Sequence, residues 1–135
     1  MKTFVRGALV AAALAPAAAL APAPAFADAM SIDFAWHAVS FCRDAPRNPV
    51  ITLSHVPRET AVLRLELSNG DAASDYGGGD VAFTGEHEIS ADSLMARSPC
   101  RLGDYTWTMT ALDKAGGVLA VATRTRRADS YSALR

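Results

Sequence analysis

The chain has 135 residues, half of them hydrophobic, with 13 lysines and arginines against 14 aspartates and glutamates for a formal charge of −1. That balance excludes the basic surface on which nucleic-acid binding depends. Its length suits one small domain rather than several.

The first residues read as an export signal. Lys2 and Arg6 give a positive start, and an alanine-rich apolar run follows from Ala8 to Leu20. Ala25-Phe26-Ala27 and Ala27-Asp28-Ala29 both fit a small-x-small cleavage site. Residues 1–27 are therefore expected to be a signal peptide cut after Ala27 or Ala29, with a periplasmic or secreted product. Pro16, Pro22 and Pro24 interrupt the apolar run, which falls short of the ~20 residues a membrane span needs. No later segment is apolar enough to span.

The mature chain would hold about 106 residues, with eleven cations facing fourteen acids. A domain of that size buries only ~60–70% of its unfolded surface and gains from a covalent staple. Cys42 and Cys100 are the two cysteines, and export into an oxidising space makes a Cys42–Cys100 disulfide the expected state. The loop it closes has 57 intervening residues, worth roughly 4 kcal/mol in the chain-entropy treatment. Without a Cys-x-x-Cys or a histidine at ligand spacing, no metal site or cofactor is expected.

The mature pattern is β throughout. Ile32, Phe34 and Trp36 alternate with polar neighbours. Val50–Leu53 is a short β-branched run, and Val56–Thr60 a connector around Pro57. Leu63, Leu65 and Leu67 alternate with Arg64, Glu66 and Ser68, so the leucines should face a core. Asn69 to Gly79 is polar and ends in three glycines, which reads as a loop, before a short strand at Val81–Phe83. Glu86–Met95 reads as irregular, with one helical turn over Ser90–Leu94. Tyr105, Trp107, Met109 and Ala111 share one strand face, and Thr106, Thr108 and Thr110 the other. Asp113–Gly117 should turn the chain into a return strand from Val118 to Arg126. Arg124, Arg126 and Arg127 read as a solvated guard on that strand's edge. The domain should run from 28 to 127, and the tail 128–135 has little to bury and should fray. The expectation is an all-β fold: an antiparallel two-layer sandwich with one disulfide.

Four segments, in order, resemble the phosphatidylethanolamine-binding protein family, in particular its small exported bacterial branch related to the Raf-kinase-inhibitor-like proteins. Asn48-Pro49-Val50-Ile51-Thr52-Leu53 through Val56-Pro57-Arg58-Glu59-Thr60 looks like the family's apolar strand and valine-proline-x-x-threonine. Leu63 to Asp71 resembles its central strand and acidic loop. Asp75-Tyr76-Gly77-Gly78-Gly79 resembles its histidine-triglycine turn. Ser98-Pro99-Cys100, with Tyr105-Thr106-Trp107 to Asp113, resembles its proline-rich loop and following strand. The match covers most of the mature chain.

The resemblance implies a sandwich with a small anion pocket at one end, taking phosphate-bearing or phospholipid head groups. The positions it marks are Asp71, Tyr76, Pro99, Arg101 and Tyr105. Several depart from the family pattern. Tyr76 stands at the triglycine histidine, Arg101 and Leu102 replace two prolines, and Gly103 occupies the second histidine position. Asp71 and Asp75 only approximate the family aspartates. The residues present still offer anion chemistry: a guanidinium with paired donors at Arg101, two phenols, and glycine amides able to form a donor nest.

Three functions follow in order of support. The first is a non-enzymatic binding protein for a small anion or phospholipid head group. The second is a periplasmic protein-interaction or inhibitor module on the same scaffold. The third, a hydrolase, has no Gly-x-Ser-x-Gly turn to build on, and no catalytic residue is assigned. His37, His55 and His87 lie on separate segments and read as surface residues.

Overall fold

The computed structural model describes residues 28–36, 44–70 and 72–128. The expected signal segment, His37, Cys42, Asp71 and residues 129–135 lie outside the described residues. No helix among the described residues is long and apolar enough to cross a membrane.

Among the described residues, eight antiparallel strands form two sheets. The smaller has the order β1 (Ser31–Phe34), β2 (Ile51–Ser54), β5 (Glu88–Ile89). The larger has the order β6 (Met95–Ala96), β4 (Ala72–Ala82), β3 (Val62–Asn69), β7 (Gly103–Leu112), β8 (Val118–Ala128). The fold is all-β, as its alternation predicts. Period-two placement puts Leu63, Leu65 and Leu67 of β3 beside Ala111, Met109 and Trp107 of β7, all buried on one face. Ile32, Phe34, Trp36, Ile51, Leu53 and Ile89 from the smaller sheet join them in a single core cluster. Burying aliphatic and aromatic side chains at roughly 1.5–3 kcal/mol each is the main stabilising term.

The β7–β8 hairpin closes as expected. Asp113 Oδ1 accepts the amides of Ala115 and Gly117, each at 2.8 Å, and Gly116 takes φ +84°. β8 continues through Ala128, which pairs with Gly103 and is buried, so the strand outlasts the boundary expected at 127.

The larger correction concerns the glycine run. Gly77, Gly78 and Gly79 are not in a loop but inside β4, the 11-residue strand between β3 and β6. A Cβ on Gly77 would stand 2.2 Å from the Met95 carbonyl oxygen, and one on Gly78 would stand 1.9 Å from that of Leu65. Both obstacles are backbone, so only glycine lets the neighbouring strands approach this closely. Between β5 and β6 the chain makes a plain turn at Ala91-Asp92 in place of the expected helical turn.

The smaller sheet has short strands and is held by side chains. Asn48 is buried and fully bonded. Its Nδ2 donates to the Pro49 and Ser90 carbonyls at 2.9 and 2.8 Å, and its Oδ1 accepts the Ser93 and Leu94 amides at 2.8 and 2.7 Å. On the opposite flank Arg124 and Arg126 of β8 form a clamp and do not serve as a solvated guard, whereas Arg127 is exposed, beside Asp104. Register puts Arg124 beside Trp107 and Arg126 beside Tyr105, on the core-facing side of an edge strand. Their side chains reach Asp33 of β1, Arg124 Nε at 3.0 Å and an Arg126 terminal nitrogen at 2.7 Å from Oδ1. Arg126 Nε also donates to the Phe34 carbonyl, and Trp36 Nε1 donates to the Arg126 carbonyl.

Asn48→Ala strands two buried amides and two carbonyls. It should lower the unfolding free energy by about 3 kcal/mol, read from the urea midpoint at unchanged slope. The Arg126 hydrogen bond, aided by the Phe34 amide and the Arg124 charge and opposed by slight burial, holds the Asp33 carboxyl below its ordinary value. A lowered folded value means that the clamp stabilises the fold above about pH 4 and loses this as pH falls through the lowered value. Asp33→Asn should therefore lower stability at neutral pH and flatten the acid limb of a stability–pH curve.

Candidate functional site

Tyr76, Pro99, Arg101 and Tyr105 gather at one end of the larger sheet. Tyr105 is in the first turn of pleat of β7, opposite Asn69 on β3 and Arg126 on β8. Its ring is fully buried, edge-on to Tyr76 with centroids 5.2 Å apart and to Trp36 at 5.7 Å. Its hydroxyl donates to the Arg101 carbonyl at 2.9 Å and accepts the Arg101 amide at 3.4 Å. One phenol thus bonds both backbone groups of a single residue and pins the loop that precedes its own strand. Burial, reinforced by hydrogen bonding with Tyr76, pushes the Tyr105 phenol above its ordinary pKa.

Tyr76 is half-buried against the core, and its carbonyl accepts the Arg97 amide at 2.8 Å. That bond carries the β4–β6 pairing into the loop. Ser98 and Pro99 behind it are fully buried, so Pro99 supports the rim from beneath. The Arg101 side chain is exposed and has no ion-pair partner among the described residues. Cys100 is not a free thiol, whereas Cys42 lies outside the described residues. The glycines after Tyr76 lie within β4 and serve strand packing.

The group is thus a rim with two phenols, one of them committed to the fold, and one free guanidinium. It can offer a cation and the Tyr76 hydroxyl to an anionic oxygen. Among the described residues no three His, Cys, Asp or Glu side chains are grouped to hold a metal ion.

A second concavity was not foreseen. His55 and His87 are read as unrelated surface residues from their spacing, yet both line one cleft with Arg58 at the other end of the fold. The Leu53 amide donates to the His87 carbonyl at 2.8 Å, so β2–β5 pairing brings the two segments together. No periodicity in the chain signals that pairing.

The chain matches no protein-family model, no curated protein and no solved structure.

Tyr105→Phe keeps the ring and removes the loop's two bonds. It should cost about 1–2 kcal/mol and speed hydrogen exchange at the Arg101 amide, while leaving the core amides of β7 protected. With a raised folded pKa, the contribution of this phenol is intact below about pH 10 and lost as pH rises through the folded value. Stability should accordingly begin to fall at about pH 10, where the phenol of the unfolded chain ionises, and Tyr105→Phe should remove that part of the alkaline dependence.

Proposed function

We propose that this chain is an exported, non-enzymatic binding protein of the phosphatidylethanolamine-binding type, taking a small anionic or phospholipid head-group ligand at the rim of Tyr76, Arg101 and Tyr105. The observation that carries the reading is the convergence of two segments, distant in sequence, on one end of the sheet. The Tyr76 and Tyr105 rings touch, and the Tyr105 hydroxyl holds the Arg101 backbone. In this reading Arg101 supplies the positive charge that a family histidine would supply, and the Tyr76 hydroxyl adds a hydrogen bond. A Cys42–Cys100 disulfide belongs to the same reading. It would fix the loop bearing Arg101 to the segment after β1, and the absence of a free thiol at Cys100 agrees with it.

A second reading, a protein-interaction module, is favoured by one feature. Val118, Leu119 and Val121 are exposed together at the start of edge strand β8. Replacing Val118 and Val121 by threonine would abolish partner capture from envelope extract under this reading and leave head-group binding unchanged.

Thermal shift separates the two. Inorganic phosphate and phosphoethanolamine should raise the melting temperature of the wild type, with tenfold saturation worth about 1.4 kcal/mol, and acetate should do so less. Arg101→Ala should remove the shift without lowering the unliganded melting point, since Arg101 is exposed and unpaired. No shift with any of the three anions would end the rim reading.

A further inference from the structure

The end of the sandwich remote from Tyr105 carries a composite cavity with one charged half and one apolar half. Its walls are the turn after β2 and the loop after β4, both at the start of β3. Thr60 donates its amide to the Pro57 carbonyl at 3.1 Å, and Phe83 donates its amide to the Ala61 carbonyl at 2.9 Å. Seven strand steps along β3 separate this end from Asn69 and the rim, roughly 20–25 Å.

The charged half is a cleft of about 640 Å³ lined by His55, Arg58, Thr60 and His87, among others. Arg58 has no ion-pair partner among the described residues. The carboxylate in the wall, Glu86, does not serve it. One Glu86 oxygen accepts the Thr84 amide at 2.8 Å, and the other takes the Thr84 hydroxyl. Asp28 meets His55 at 3.4 Å, and Glu59 and Asp113 line a neighbouring surface concavity with Arg58 without forming an ion pair to it. Thr60 is buried with its hydroxyl unpaired just beneath the cleft surface, a donor without an acceptor. His55 holds φ +54°, a left-handed conformation that a non-glycine residue keeps only when its surroundings enforce it.

The apolar half is a slot of about 220 Å³ running between the two sheets, lined by Leu53, Leu63, Val81, Phe83 and Ile89, with two carboxylates, Glu86 and Glu88, and two hydroxyls, Ser90 and Ser93, in the rest of its lining, so an anionic head is placed in the cleft beside Arg58 and only the tail enters the slot. Leu53, Phe83 and Glu86 line both halves, so the two adjoin. The volume suits a short aliphatic chain. A guanidinium and two imidazoles at one end of a path that finishes among core aliphatics match one chemistry, an anionic oxygen group on a short apolar tail.

We propose that this cavity binds a short-chain amphiphilic anion, with Arg58 pairing the carboxylate or phosphate and the Leu53–Phe83–Ile89 slot taking the tail. The site is separate from the rim at Tyr76 and Arg101 and does not depend on it.

The test is a titration of the full exported chain followed by amide NMR shifts and calorimetry. The probes are octanoate and octyl phosphate, with acetate, inorganic phosphate, octanol and octylammonium as controls. Octanoate or octyl phosphate should bind at least tenfold tighter than acetate or phosphate and tighter than either uncharged or cationic octyl compound. Shifts should centre on Phe83, Thr84, His87 and Ile89. Arg58→Ala, a change at an exposed side chain, should weaken the tailed anions at least tenfold, while Arg101→Ala should leave the octanoate-induced shifts at Phe83, Thr84, His87 and Ile89 unchanged. If octanoate outbinds octyl phosphate the head is a carboxylate, and the reverse order makes it a phosphate. Equal binding of octanol or octylammonium, shifts centred on Tyr76 and Tyr105, insensitivity to Arg58→Ala, or no binding by either tailed anion would each overturn the proposal.

Discussion

The arrangement depends on how closely three backbones approach at Gly77 and Gly78. A Cβ on Gly77 would collide with the Met95 carbonyl oxygen, and one on Gly78 with that of Leu65. Without those methyl-sized obstacles, β4 lies between β3 and β6 with its ladder bonds made on both sides. Everything that β4 and β6 carry is then placed. Tyr76 stands immediately before the glycines, against Tyr105. The chain leaving β6 passes Arg97 to the Tyr76 carbonyl and delivers Ser98, Pro99 and Arg101 to the same end. In the other direction the same strand delivers Val81 and Phe83 to the slot between the sheets. A single backbone spacing therefore sets the geometry of both ends.

That constraint explains what could be read from the chain and what could not. β3, β7 and β8 are legible because each has one face in the core, and a period of two then appears directly as Leu63-Leu65-Leu67 and Tyr105-Trp107-Met109. β4 is hidden because glycine is a breaker by local propensity, and its role here is a requirement imposed by two neighbouring strands. Arg124 and Arg126 look like edge residues of the solvent face. Only the position of Asp33, some ninety residues earlier, turns them into a tie between sheets. The rim residues Tyr76, Arg101 and Tyr105 were legible as a group through resemblance, but the commitment of the Tyr105 hydroxyl to the loop was not. His55 and His87 are adjacent only through β2–β5 pairing, a contact between a four-residue and a two-residue strand that leaves little pattern in sequence.

The smaller sheet also shows why a cavity survives in so small a core. Strands of four, four and two residues make few ladder bonds, so the sheet cannot be held by its own hydrogen bonding. Its attachment comes from side chains at particular points. Along the β8 flank, Asp33 meets two arginines and Trp36 wedges against Tyr105. Asn48 ties the approach to β2 to the turn after β5 through three short bonds. Between β5 and β4 beyond that tie, contact is left to Leu53, Ile89, Val81 and Phe83, of which the last two are only partly buried. The gap there is the slot.

A protein interior normally closes such gaps, because each unfilled methylene volume forfeits dispersion contacts and leaves apolar surface wet. Closing this one would mean moving β5 toward β4, and β5 is fixed by the Leu53–His87 hydrogen bond on one side and by Asn48 through Ser90 on the other. The bonds that hold the smaller sheet in place therefore also keep the slot open. Its apolar lining adjoins a cleft where, among the described residues, Arg58 lacks a counter-ion and the Thr60 hydroxyl lacks a partner. Both deficits are met by the same kind of group, an anion carrying its own apolar tail, and a bare anion or a bare hydrocarbon meets only one of them.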